Sequence, residues 1–192
     1  MVGRFKVSFS DGSVLKLYKQ TVQDFGLYTG LELTEEEFER LQKAAMQMSA
    51  KMRAVRIISA GSVSKRDLQQ RLLQKGEDEL CAKQAVSWLE EMDLLDDQKT
   101  ARQIVERCIA KGYGLARAKQ ALYEKRIPKE FWQEALADYP SQTDAIRNYV
   151  QTHLKDPADV KTKKKVIDAL IRKGHSYHEI RLVLDLGDGL ED

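Results

Sequence analysis

Alternating apolar and polar positions open the chain. Residues 4–18 read RFKVSFSDGSVLKLY, two short period-two runs on either side of Asp11-Gly12-Ser13. That pattern predicts a β-hairpin, with Asp-Gly supplying the positive φ angles of a tight turn. Thr34-Glu-Glu-Glu37 then forms a capping box, in which the threonine hydroxyl and the glutamate three residues on satisfy exposed amides. A helix from about Thr34 to Ala60 is expected to follow.

Beyond that point the period changes to that of helices, and the pattern repeats after about 50 residues. Residues 64–77 read SKRDLQQRLLQKGE, residues 114–127 GLARAKQALYEKRI and residues 162–175 TKKKVIDALIRKGH. In each copy an apolar residue (Leu68, Ala118, Val166) is followed four positions later by a leucine (Leu72, Leu122, Leu170) and then by an apolar neighbour (Leu73, Tyr123, Ile171). This predicts one buried helical stripe. A lysine follows three positions after each leucine (Lys75, Lys125, Lys173), then Gly76, Arg126 or Gly174. Glycine suits the left-handed position that ends a helix, and lysine favours the negative dipole end of a last turn.

Amphipathic stretches flank each of these helices: Met52 to Ala60, Thr100 to Lys111 and Thr143 to Leu154 before them, Leu80 to Met92, Pro128 to Asp138 and Tyr177 to Leu184 after. Each unit is therefore read as three helices. Pro128 suits a first-turn position, and Pro140 and Pro157 fall where helices should stop or start. The expected fold class is mainly α: three tandem three-helix repeats in an elongated curved array, preceded by a small N-terminal β-hairpin and helix. The expected divisions are 1–51 for that extension, 52–97 for repeat 1, 98–140 for repeat 2, and 141–192 for repeat 3 with an acidic tail. One such unit buries little surface alone, so neighbours should stack, and arrays of this type bind along a surface.

Charge sharpens this picture. The formal net charge of the 192 residues is only +2, yet it is segregated. Residues 98–140 hold nine Lys or Arg against five Asp or Glu, and residues 141–175 hold eight against four, an excess of +4 each. Residues 176–192 hold one basic and five acidic residues. The basic side chains cluster as Lys111, Arg117, Lys119, Lys125, Arg126 and Lys129 in repeat 2, and as Lys161, Lys163, Lys164 and Lys165 at the opening of the central helix in repeat 3. A field of this kind suits an anionic partner, with an attraction that salt screens. Tyr113, Tyr123 and Trp132 fall in the same region, but core packing is the reading preferred here over base stacking.

No converging catalytic set is legible, so no enzyme activity and no cofactor are expected. Gly112-Tyr113-Gly114 lacks the preceding strand of a phosphate loop and is read as the end of one helix and the start of the next. His175 and His178 have an H-x-x-H spacing but no Cys or acidic partners at metal-site spacing. A polar surface pair is expected there, and His153 stands alone. Glu90, Glu91, Asp93, Asp96 and Asp97 lack the alternating ligands and central glycine of a calcium loop, and helix capping by Asp96 or Asp97 is expected instead. Cys81 and Cys108 lie inside apolar helical patterns and are expected to be small buried side chains. No run approaches a membrane span and the N-terminus has no signal-peptide core, so a cytoplasmic monomer is the expectation.

The chain resembles the RecX family of RecA modulators. The likeness rests on Glu90-Glu-Met-Asp-Leu-Leu-Asp-Asp97 with Thr100-Ala-Arg102, Lys111-Gly-Tyr-Gly114 leading to Ala121-Leu122, Ser64-Lys-Arg-Asp-Leu68 with Leu72 and Lys75-Gly76, and Arg126-Ile-Pro128. It covers about Met52 to Leu184. In the family a glycine is usual where Arg126 stands, and the third unit is loosely patterned. The resemblance implies binding in the helical groove of the RecA filament on DNA, so that filament growth, ATP hydrolysis, strand exchange and LexA cleavage are restrained in DNA repair, recombination and the SOS response. The alternative is a helical-repeat protein that binds single-stranded nucleic acid directly, with single- or double-stranded DNA as a further contact.

Overall fold

The computed structural model describes residues 3–187, without the side chain of residue 186; the end of the acidic tail lies outside the described residues. The fold is mainly helical, with one two-stranded antiparallel sheet near the N-terminus. The chain forms two compact units, Met1–Asp96 and Asp97–Asp192.

In the first unit, strands β1 (Arg4–Ser8) and β2 (Val14–Tyr18) pair with Phe5 opposite Leu17 and Lys6 opposite Lys16. The turn differs from the tight one expected. The Phe9 N–H donates to the Ser13 carbonyl (3.0 Å) and the Gly12 N–H to the Phe9 carbonyl (3.1 Å). Gly12, at φ +85°, takes the left-handed position, and Asp11 does not. A wider loop closed by one left-handed glycine needs only that one positive φ.

Helix α1 (Lys19–Asp24) leads to the 25-residue α2 (Glu35–Ser59). The capping box forms as expected: the Thr34 hydroxyl accepts from the Glu37 N–H at 3.2 Å, and the Glu37 carboxylate accepts from the Thr34 N–H at 2.9 Å. Helix α2 runs unbroken through positions 51 and 52, so the extension and the first helix of repeat 1 are one rod. Helices α3 (Lys65–Gln74) and α4 (Glu79–Glu91) pack against its second half. Their core joins Ala50 and Ala54 to Leu68, Leu72, Ala82, Ala85 and Leu89.

The second unit holds two further sets. Helices α5 (Asp97–Ala110) and α6 (Leu115–Glu124), a 3₁₀ turn at Lys129–Phe131 and the short α7 (Trp132–Leu136) enclose Ala101, Ile104, Val105, Leu122 and Ile127. Pro128 stands just before the 3₁₀ turn rather than within a first turn, and the expected single helix is a 3₁₀ turn that runs directly into α7. Helices α8 (Thr143–His153), α9 (Val160–Arg172) and α10 (Tyr177–Gly187) enclose Ile146, Val166, Leu170 and Ile180.

The repeat is clearest at helix ends. After α3, α6 and α9 the N–H of Glu77, Ile127 and His175 returns to the carbonyl of Leu72, Leu122 and Leu170, and the N–H of Gly76, Arg126 and Gly174 to that of Leu73, Tyr123 and Ile171. These are three Schellman motifs in register. Gly76 and Gly174 lie at φ +81° and +90°, and Arg126 holds the same left-handed place at φ +55°, where a side chain is strained.

One expectation fails in all three copies. The first apolar residue and the leucine are buried, but the neighbour is exposed: Leu73 by 36%, Tyr123 by 68% and Ile171 by 47%. The preferred core reading of Tyr123 falls with it. Trp132 does pack against its core and donates its indole N–H to the Ile127 carbonyl at 3.0 Å.

Candidate basic binding surface

Two helices carry most of the candidate residues. On α6, Ala118 and Leu122 point into the core, which turns Lys119 outward one helical turn before Tyr123. Lys111 at the end of α5, and Arg126 and Lys129 after α6, are also exposed. Arg117 and Lys125 are half-buried, and the Arg117 guanidinium lies 3.1 Å from the Glu124 carboxylate two turns along. The Gln120 amide, with that guanidinium, holds Glu124 below the usual carboxylate range. Arg117 is thus already engaged within its helix.

On α9, Val166 and Leu170 face the core, and Lys161, Lys164 and Lys165 lie on the outer face. Lys163 is half-buried on the other side. Arg172 shares the exposed face, seven residues beyond Lys165, with Asp168 between them. A helical projection places Arg172 and Tyr123 beside the expected lysines, although neither belongs to a charge run. Asp159 caps α9, accepting from the Lys161 and Thr162 amides at 3.0 and 3.1 Å. The Thr162 hydroxyl, which also donates to Asp159, holds its carboxyl low together with these amides.

A seam of bare backbone joins α6 to α9. The Gly114 N–H donates to the Lys173 carbonyl at 3.0 Å and the Ala116 N–H to the Gly174 carbonyl at 3.2 Å. A Cβ on Gly114 would lie 2.0 Å from the Gly174 oxygen, and one on Gly174 2.3 Å from the Arg117 nitrogen. Only glycine allows this approach. The seam meets the start of α6 and the end of α9, so Arg126 and Lys161 each sit about one helix length, on the order of 15 Å, from it. The two basic clusters are anchored to one unit through this junction.

His175 lies at the seam and corrects the surface-pair expectation. It is 4% exposed, whereas His178 is exposed on α10. Burial pushes its pKa below the usual histidine value, with the Lys173 charge adding to the effect, while Glu179 and the Gly112 carbonyl act against it. Ser176 and Glu179 form a capping box beside it, the hydroxyl accepting from the Glu179 N–H at 3.2 Å. Among the described residues no group of three His, Cys, Asp or Glu could hold a metal ion. Of the acidic run, Glu90 is ion-paired with Lys65, Asp97 is buried at the start of α5 and Asp93 sits at φ +55° after α4.

Cys81 and Cys108 are free and buried, and burial raises both thiol pKa values. The Tyr139 hydroxyl donates to the Tyr113 carbonyl at 2.7 Å, and burial pushes its pKa up to about 12. Among the described residues no helix is long and apolar enough to cross a membrane.

Residues 96–136 match the family model for the second three-helix domain of RecX. The chain is 27% identical over 190 residues to the regulatory protein RecX of Clostridioides difficile strain 630, covering 95% of this chain and 88% of that protein. It is 26% identical over 153 residues to the regulatory protein RecX of Vibrio parahaemolyticus, covering 77% and 97%. A crystal structure of regulatory protein RecX superimposes with a TM-score of 0.66 at 20% identity over 95% of this chain and 93% of the other. RecX from Lactobacillus salivarius gives 0.61 at 18% identity over 76% and 98%.

Proposed function

The chain belongs to the RecX family of regulatory proteins, and from that premise we propose that it acts without catalysis, as a monomer in the cytoplasm, by binding RecA filaments on DNA. Binding restrains filament growth, ATP hydrolysis, strand exchange and LexA cleavage, and so acts on repair and the SOS response. The functional divisions are the extension 1–51 and repeats 52–97, 98–140 and 141–192, with repeats 2 and 3 making the filament contact through the ten basic residues.

The observation that carries this reading is the exposure of Lys111, Lys119, Arg126, Lys129, Lys161, Lys164 and Lys165 on one compact unit. Exposed cations add little to folding but attract a DNA-laden surface at long range. The test is the DNA-dependent ATPase and strand exchange of RecA with stoichiometric or modestly higher amounts of the protein. Inhibition is expected, and unaffected rates would overturn the reading.

One observation favours the alternative of direct single-strand binding: Tyr123 is 68% exposed on the same face as Lys119, which fits a base-stacking platform beside a phosphate contact. Anisotropy titration of a bare oligonucleotide separates the two. Tight, steeply salt-dependent binding without RecA, weakened by Tyr123→Ala, would favour it.

A further inference from the structure

The hairpin carries a charge arrangement that folding does not require. Arg4 pairs with Tyr18 across the strands and Lys6 directly with Lys16, so Arg4, Lys6 and Lys16 share one face. Like charges directly opposite, with Cβ atoms about 5 Å apart, repel and weaken the ladder. Helix α2 adds a fourth cation. Arg56 and Arg4 both donate to the Tyr18 hydroxyl, Arg56 at 3.0 Å, and the Arg4 guanidinium lies 4.5 Å over the Tyr18 ring.

Tyr18 is buried, at 2% exposure, and a phenol oxygen has two acceptor lone pairs. Both are therefore taken by guanidinium groups, each of which has four further N–H donors. Among the described residues none of Arg4, Lys6, Lys16 and Arg56 forms an ion pair. A buried phenol oxygen thus gathers the two guanidinium groups where a carboxylate would ordinarily stand, beside the exposed Lys6 and Lys16.

We propose that this hairpin face, Arg4, Lys6 and Lys16 with Arg56 beside them, docks the phosphate backbone of duplex nucleic acid, as a contact separate from the basic helices of the second unit. A two-stranded ribbon is of a size that fits a duplex groove, and two flexible lysines opposite each other across the strands can each reach a backbone phosphate. The duplex is chosen over a single strand because stacking needs exposed aromatic rings. The aromatic ring on this face, Tyr18, is buried, and the exposed Phe5 belongs to the opposite face by register.

The experiment needs no RecA, so its outcome is independent of the filament reading. The full chain and its K6Q/K16Q double variant are titrated by anisotropy against a labelled 20-bp duplex and one of its strands. Salt is set at two concentrations, and both proteins also carry K161Q/K164Q/K165Q to weaken the contribution of the other surface equally in each. The lysines are chosen because neither supports Tyr18. The duplex dissociation constant of the hairpin variant is expected to rise at least threefold, with a salt slope shallower by about 1–2 as roughly two fewer counterions are released. Its melting temperature should be unchanged or slightly higher as the Lys6–Lys16 repulsion is relieved. Unaltered duplex affinity and slope would overturn the proposal. So would a loss confined to the single strand, or weakened binding to polyglutamate with the duplex unaffected, which would assign the face to an acidic protein.

Discussion

At the scale of residues, His175 links the fold to pH. Its folded pKa is depressed by burial, so near pH 6 the unfolded chain binds more protons than the folded one, and stability rises with pH through that range. The contribution is complete above the unfolded value of about 6.5 and is lost as pH falls below it. Thermal melts between pH 7.5 and 5 should show a decline that H175Q flattens, and an equal slope in both proteins would refute this. Arg126 offers a second test, because its backbone sits where glycine is unstrained. R126G should stabilise the fold by about 1 kcal/mol while weakening RecA inhibition. A variant both less stable and equally inhibitory would contradict both halves. The departure at Arg126 was visible in the sequence because two aligned copies carry glycine. The burial of His175 was not, because the backbone that covers it comes from Gly112 and Gly114, some sixty residues away and outside any periodic pattern.

At the scale of elements, the helices and their ends were legible because both depend on local chemistry: capping side chains, left-handed glycines and a stripe of period 3.6. The misplaced position has a geometric cause. Each residue turns a helix by about 100°, so Leu73, Tyr123 and Ile171 lie about 120° from the middle of the stripe defined by the two buried residues before them. Serine at any one of these sites should alter stability by no more than about 0.5 kcal/mol, measured by urea unfolding, whereas a loss above 2 would mean that they are core after all. The seam is the opposite case. G114A introduces a methyl group 2.0 Å from a carbonyl oxygen, and a loss of roughly 3 kcal/mol is expected. In the sequence Gly114 is legible only as a helix start, since its contact with Gly174 is tertiary.

At the scale of the whole molecule, charge segregation and the regulatory family both motivate the proposed filament contact. The family was legible because its short motifs keep their order along the chain, even where each alone is degenerate. The candidate surface was legible as a set of basic runs. Which members face outward required the helices: Lys161, Lys164 and Lys165 do, with the unforeseen Arg172, whereas Arg117 is held by Glu124. Replacing Lys161, Lys164 and Lys165 with glutamine should weaken inhibition several-fold while leaving the melting temperature nearly unchanged, because exposed charges contribute little to folding. The most direct measurement is the DNA-dependent ATPase rate of preformed RecA filaments with the intact chain present and absent. A rate that falls as the protein approaches stoichiometry, and recovers with added salt, is the predicted result; a rate unmoved at severalfold excess and low salt would contradict the account.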